Sequence, residues 1–442
     1  MKIACLCAED INIGFGYLIS HLQQRGDNVK LFFDPLQFNR GYSSNKILAK
    51  MFNMEKSIVR KVAAFTPDIV CISAVTATYQ WGLRMAEKIK KKMPSVKVVF
   101  GGVHATLVPE EVKKHAFIDE VVVGDGIEYF GGKFDPDTLW PEREMFLKQL
   151  PPIHRKYQIF MTSIGCPFNC SYCGNEQMRK VGNFKFLRRT VAGCIEELHN
   201  LKRWHGMKYV LFVDDILTTD KKWLLEFMTA YKRVIDLPFC CFAHPKFLDE
   251  DIVKALKDGG CHSIWIGIQT GDEGLRKRIL NRPETNKEIV DACALVKKHK
   301  IKLIVDHIFG IPTESATSND ISHNMYVITK PDIINCYNLL YFPKAKIIEH
   351  AVAIGALTPA QVQDINEGKG LTYQLGNEDQ NYYRQYAKTF IAMPIGGLIS
   401  EILPVWLIKL IVYIRAGRGF IPMAVIQNEI YFTLKSLWRK IT

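Results

Sequence analysis

Three cysteines stand at 166, 170 and 173 in TSIGCPFNCSYCGNE, a CxxxCxxC spacing in a loop that also carries glycine and proline. Thiolates are soft ligands. Three from one short loop can hold three irons of a 4Fe-4S cluster and leave the fourth iron an open coordination position. An open iron at a redox centre can take an exchangeable ligand and pass it an electron. Zinc is the structural alternative, but a zinc site calls for a fourth Cys or His at a recognisable spacing. The nearest on either side, His154 and Cys194, do not stand close.

The elements that must position this loop can be read from hydrophobic periodicity. Short β-branched runs at 2–7, 28–33, 69–74, 96–101 and 119–123 alternate with amphipathic stretches such as 80–92, which predicts a parallel sheet with covering helices. Such a doubly wound, Rossmann-like α/β domain binds ligands beyond the carboxyl ends of its strands, at 8–16, 73–79, 101–106 and 124–128. We assign 1–135 to this domain and the proline- and turn-rich 136–156 to a linker. A second series has strands near 157–164, 209–214, 239–243, 263–268, 302–308 and 333–341, separated by helical stretches near 190–205, 219–235, 248–258, 285–299 and 317–329. Six strands with intervening helices over 157–345 predict a partial (β/α)6 barrel with its site at the strands' carboxyl ends. The cysteines come after the first of these strands.

A mostly helical extension, 346–442, completes the chain. Its stretch 390–414 is apolar, yet Glu401 and Lys409 interrupt it and Pro394 and Pro404 break a continuous helix, so it makes a poor transmembrane candidate. From 405 to 442 six basic residues and one acidic residue are interleaved with Trp406, Tyr413, Phe420, Tyr431, Phe432 and Trp438. That composition suits either an interfacial membrane contact or a helical cap on the barrel.

The chain has 442 residues, 48% of them hydrophobic and 23% charged, as in a folded globular protein of more than one domain. A net charge of +13 permits an anionic partner without choosing one, whether a phosphorylated cofactor, an acidic membrane surface or a nucleic acid; a lysine-rich solvated surface accounts for it equally. The N-terminus runs straight into a strand, without the features of a secretory signal, so the expected location is cytoplasmic, with the inner membrane face as a peripheral alternative. Twelve cysteines in that setting favour thiols or metal ligands over a disulfide framework.

CxxxCxxC after the first strand of a partial barrel, with the aromatic Tyr172 before its third cysteine, resembles the signature of the radical S-adenosylmethionine (SAM) superfamily. The resemblance implies that the open iron binds the amino and carboxylate groups of SAM, that electron transfer yields a 5'-deoxyadenosyl radical, and that Tyr172 lies near the adenine. It extends over roughly 157–315. LFVDDI puts Asp214 and Asp215 where that family meets the methionyl amine; adjacent residues on a strand alternate sides, so one of the two is expected to face the site. GIQTGDE resembles the family's ribose-side GIExG segment, with Gln269 at the position more often glutamate. GIP at 310–312, centred on Ile311, resembles the loop along the adenine. His244 stands where many relatives carry arginine, and its role is left open.

A sheet domain with ISA at 72–74, GGVHAT at 101–106 and VVVGDGIE at 121–128 before such a barrel resembles the cobalamin-binding, class B methyltransferase-like subgroup. The implied cobalamin site uses Ser73, Thr76, Gly101, Gly102 and Gly124. No DxHxxG motif is present, so base-off cobalamin without a histidine ligand is expected. The resemblance implies an anaerobic C-methyltransferase that moves a methyl group from SAM by way of cobalamin to an unactivated carbon. Cyclisation, ring contraction or oxidation with the same cofactors is the second reading, and an iron-sulfur and cobalamin sensor the third. The expected partners are a small-molecule, lipid or peptide substrate and a reductant such as flavodoxin or ferredoxin, rather than nucleic acid.

Overall fold

Successive residues of the first strand go to opposite cores. Ile3, Cys5 and Cys7 pack with Phe15, Ile19 and Leu22 on one face, while Ala4 and Leu6 pack with Ile58, Val62, Met85 and Ile89 on the other. A sheet covered on both faces needs apolar side chains at every position, which is why its strands read as continuous apolar runs. In this computed structural model residues 1–9, 11–36, 46–181, 184–370, 379–395, 407–408 and 410–412 are described. Strands β1 (Lys2–Ala8), β2 (Asn28–Asp34), β3 (Ile69–Ser73), β4 (Lys97–Gly101) and β5 (Glu120–Val121) pair in parallel in the order β2-β1-β3-β4-β5. The order reverses between β1 and β3, the topological switch point at which such sheets open a crevice for ligand.

The second sheet is also parallel and runs β13-β12-β11-β10-β9-β6, built from β6 (Tyr157–Phe160), β9 (Tyr209–Phe212), β10 (Phe239–Ala243), β11 (Cys261–Gln269), β12 (Lys302–Phe309) and β13 (Ile333–Asn338). The order is linear, with β6 and β13 at its two edges, as in a partial barrel. Helices Val191–His205, Lys221–Val234, Glu250–Gly259, Asn286–Lys298 and Ala316–Thr329 connect the strands. Each begins where a short polar side chain accepts from the first turn: Thr190 from Gly193, Asp220 from Trp223, Asp249 from Ile252, Thr285 from Glu288 and Ser315 from Ser318.

One strand expected over 157–164 is two. After β6 the Thr162 N–H turns to the Asp214 carboxylate, and the chain re-forms as β7 (Ser163–Ile164), antiparallel to β8 (Leu187–Arg188). That hairpin encloses the cysteine loop. The last strand ends at Asn338, short of the expected 341.

The stretch expected as a linker is packed against the barrel domain. Phe146, Leu147 and Leu150 are buried, and Arg143 donates to the Ile159 carbonyl at 2.8 Å and to Glu197 at 3.1 Å. Arg189 reaches the other Glu197 oxygen at 2.7 Å, so two guanidiniums, one from the linker and one from the barrel domain, face one buried carboxylate. Removing one member of such a set costs about 3–5 kcal/mol by leaving a buried charge uncompensated.

In the extension, helix Pro359–Asn366 leans back on the first domain: Gln80 donates to the Glu367 carbonyl at 2.6 Å and Gln363 to Glu111 at 3.2 Å. Phe390 joins the barrel's outer core, and Ile391, Ala392, Ile408 and Val412 pack with Ile304 and Ile333. These apolar residues of the 390–414 stretch are thus occupied by the barrel. The aromatic and basic residues from Tyr413 onward lie outside the described residues. Among the described residues no helix is long and apolar enough to cross a membrane.

Candidate functional site

Cys166, Cys170 and Cys173 are carried by the loop between β7 and helix Asn175–Val181, on the carboxyl side of the barrel strands. The loop is held from several sides. Ser171 N–H donates to the Leu280 carbonyl at 3.0 Å, Asn281 to the Asn169 carbonyl at 2.7 Å, and Ile347 N–H to the Ser171 carbonyl at 2.8 Å. Arg179, one turn into the following helix, donates to the carbonyls of Cys166 and Phe168 and to the Asn169 side chain.

Each thiol lies within the electrostatic reach of another: Cys166 feels Cys173, and Cys170 feels Cys166. Among the described residues no three His, Cys, Asp or Glu side chains stand at the distances of a single metal ion. A cluster of several irons spreads its ligands more widely, and three soft thiols around one space are the donor set it needs. Burial pushes the thiols of Cys166 and Cys173 up to about 11 and raises that of Cys170. Iron must therefore displace protons to bind.

The two aspartates divide. Asp214 is buried, accepting from the Thr162 backbone at 3.1 Å and from the hydroxyls of Thr162 and Ser163 at 2.6 Å, with Arg188 at 3.6 Å. Its carboxylate is spent on the turn that starts the cysteine hairpin. Asp215 is exposed, yet protein surrounds it closely enough that desolvation raises its pKa against the hydrogen bond from Asn175. Its field reaches Cys166 and Cys173.

Tyr172 and Ile311 share one apolar cluster with Leu275, Leu280 and Tyr341. The Tyr172 phenol meets a buried ionic group: Arg282 donates to it at 3.1 Å, to Glu284 at 2.5 Å and to the Gly267 carbonyl at 2.8 Å. His244 stacks on Phe168 of the cysteine loop, ring centroids 4.3 Å apart, and its Nε2 lies 3.3 Å from Glu284. Burial would raise the Glu284 carboxyl, but His244 and Arg282 outweigh it and hold it at about 2. Gln269 ends β11 at φ 68°, a left-handed conformation that is strained for a residue with a side chain, and its amide folds over Gly267.

Of the residues expected at the corrinoid, Ser73, Gly101, Gly102 and Gly124 line one cavity of about 210 Å³ at the sheet's switch point, together with Asn12, Val75, Val103 and Thr106. Met178 and Phe184, from the segment after the cysteines, close it from the barrel side. Gly102 has φ 97°, and a Cβ there would sit 2.6 Å from the Ala74 carbonyl oxygen. Among the described residues no histidine is in the lining: His104 is buried against Tyr79, ring centroids 3.8 Å apart, and His21 lies behind Gly132. Thr76 is outside the lining as well, buried with its carbonyl against Gly368.

The sequence reading missed Arg282, Glu284 and Asp306. Asp306 sits in β12 and accepts from Asn335 of β13 at 3.0 Å, and burial raises its carboxyl to about 6. A lone carboxylate inside the apolar run LIVDHIF was the available signal.

Residues 161–320 match the radical SAM superfamily and residues 3–131 match the B12 binding domain. Over 391 residues the chain is 27% identical to an uncharacterized methyltransferase of Pyrococcus horikoshii, covering 77% of this chain and 78% of that one. It is 22% identical to the anaerobic magnesium-protoporphyrin IX monomethyl ester cyclase of Rubrivivax gelatinosus, over 67% of this chain and 60% of the cyclase. The fold is similar to that of the radical S-adenosylmethionine methyltransferase TsrM of Kitasatospora setae with cobalamin and a 4Fe-4S cluster bound, at TM-score 0.63 and 13% identity, over 81% of this chain and 79% of that one.

Proposed function

Because the chain joins a B12-binding domain to a radical SAM domain, the architecture of class-B-like cobalamin-dependent radical SAM enzymes, we propose that it is a C-methyltransferase acting on an unactivated carbon. When bound, a 4Fe-4S cluster supplies the electron that cleaves SAM, and cobalamin supplies a carrier for the methyl group. The observation that carries the reading is the shared cavity wall: Met178 and Phe184 come directly after the cysteine loop, yet they close the cavity of the B12-binding domain. That shared wall supports cofactor sites that adjoin, as a transfer between them requires.

The chain's own residues have defined tasks in this reading. Cys166, Cys170 and Cys173 hold the cluster. Asp215 offers a carboxylate to the methionyl amine, Tyr172 and Ile311 an apolar bed for adenine, and Gln269 a hydrogen-bonding amide on the ribose side. Ser73, Gly101, Gly102 and Gly124 receive the nucleotide end of cobalamin, and a lining without histidine supports base-off binding with no imidazole on cobalt. A second reading, cyclisation or oxidation with the same cofactors, is favoured by the similarity to the Rubrivivax gelatinosus cyclase.

The test is anaerobic reconstitution, then iron, sulfide and corrinoid analysis, then incubation with SAM and a strong reductant. Cluster, corrinoid and 5'-deoxyadenosine are expected together, with cleavage lost in the triple variant Cys166→Ala, Cys170→Ala, Cys173→Ala. Label from methyl-labelled SAM enters the product under the first reading and stays out of it under the second. Cluster without SAM cleavage would leave a sensor.

A further inference from the structure

A cluster in the cysteine loop has to receive electrons from outside, and the loop has one outward side. Pro167 and Asn169 are exposed, and they are the chain neighbours of Cys166 and Cys170, whereas Ser171 is buried and Tyr172 packs in the apolar cluster of the barrel. Electron tunnelling weakens steeply with distance, so the surface over Pro167–Asn169 is the shortest way in. That surface is a recess of about 340 Å³ formed by Pro167, Phe168 and Asn169 on one side and Lys277, Asn281 and Pro283 on the other.

The charged residues that line the recess, Lys277 and Arg282, are both cationic. Helix Glu273–Arg278 ends in Arg276, Lys277 and Arg278, of which Lys277 and Arg278 are exposed. Lys277 pairs with Glu273 one turn back, an exposed i,i+4 pair of small strength that a partner's carboxylate can replace. Arg179 is held by two carbonyls and an amide oxygen of the loop, all neutral acceptors.

Resting on the reading that Cys166, Cys170 and Cys173 hold a cluster, we propose that the face formed by Pro167–Asn169, Lys277 and Asn281, with the exposed Arg278 next in the chain to Lys277, is where a small acidic one-electron carrier protein docks. Basic residues around an exposed entry point steer an acidic partner and raise its association rate, an effect that salt screens. The step is one electron from the reduced carrier to the oxidised cluster, with no bond formed or broken.

The experiment monitors cluster bleaching after rapid mixing of the reconstituted holoenzyme with reduced flavodoxin, as an acidic carrier, and separately with photoreduced 5-deazariboflavin, a small uncharged reductant. In Lys277→Glu/Arg278→Glu the flavodoxin rate constant should fall about tenfold at low salt and lose its ionic-strength dependence, as expected when steering is removed; the deazariboflavin rate should be unchanged. The control Lys91→Glu/Lys92→Glu reverses two exposed lysines on helix Tyr79–Lys92 of the other domain, one of them in the same kind of i,i+4 pair. Equal flavodoxin rates in wild type and Lys277→Glu/Arg278→Glu would overturn the docking face. So would an equal fall in the control, which would reduce the effect to net charge. A wild-type chain that binds no iron would instead overturn the cluster reading itself.

Discussion

Arg282 donates to the Tyr172 phenol at 3.1 Å, across 110 residues of sequence, while its Nε binds Glu284 at 2.5 Å. One planar cation thereby ties the cysteine loop to the loop after helix Glu273–Arg278, and a third bond, to the Gly267 carbonyl, ties both to β11. Replacing it by Met leaves Glu284 buried with only Arg276 at 3.8 Å and His244 at 3.3 Å. We expect Arg282→Met to cost about 3 kcal/mol in urea unfolding, the low end for a buried pair stripped of one partner. Arg282→Lys should recover little, because an ammonium cannot span three acceptors set for a fork. A loss below about 1 kcal/mol for the Met variant would show that the network carries no stability.

The adjacent aspartates predict opposite phenotypes. Asp214 takes hydrogen bonds from Thr162 and Ser163 on the turn that opens the cysteine hairpin. Asp214→Asn should lower stability by about 2 kcal/mol, the scale of lost bonds to a charged acceptor, and reduce iron retained after reconstitution. Asp215, whose carboxyl is raised by desolvation, should tolerate Asn with full iron content and unchanged or slightly higher Tm, while equilibrium binding of SAM weakens. Iron analysis and SAM titration on the two variants decide it; the reverse pattern would exchange their roles.

The cysteine loop was legible in the sequence because ligand chemistry fixes a local spacing, and the barrel helices because their amphipathic periodicity marks the face that packs on the sheet. What the sequence hid depends on contacts between distant segments. Thr76 reads as a cavity residue by its nearness to Ser73, yet residues 366–368 return from the far end of the chain and cover it. The break between β6 and β7 comes from Asp214, some fifty residues on, drawing away the Thr162 N–H, which no local pattern reveals. Tyr172 and Ile311 were legible only as parts of motifs, and their shared apolar cluster is made by segments far apart in sequence that the fold brings together.

The glycine pair at the carboxyl end of β4 separates fold from ligand. At Gly102, φ is 97° and a Cβ would meet the Ala74 oxygen at 2.6 Å and its nitrogen at 2.8 Å, both backbone atoms that cannot swing aside. Gly102→Ala should cost at least about 1–3 kcal/mol from strain alone. At Gly101 the nearest atom to a Cβ is the Val122 Cβ at 3.5 Å, an ordinary contact, so Gly101→Ala should fold normally and fill part of the cavity. Thermal melts with hydroxocobalamin titration test the pair. Unchanged corrinoid affinity in Gly101→Ala would place the cofactor elsewhere.

Two buried groups give pH slopes of opposite sign. Burial lowers His104 to about 4, so between that value and the unfolded 6.5 the unfolded chain binds a proton that the native one refuses. Its contribution is complete above pH 6.5 and is lost as pH falls towards 4, in total about 3 kcal/mol. Asp306, raised to about 6 by burial, works the other way: above pH 6 its charge costs about 3 kcal/mol, and the cost is relieved as pH falls from 6 to the unfolded 3.9. His104→Phe, which keeps a ring against Tyr79, should therefore flatten the acid-side loss of stability. Asp306→Asn should stabilise the protein at pH 7 by up to that amount while still accepting from Asn335. Urea midpoints at pH 4.5 and 7 for both variants provide the check, and a destabilised Asp306→Asn at pH 7 would mean that Asp306 is held ionised by a partner stronger than Asn335.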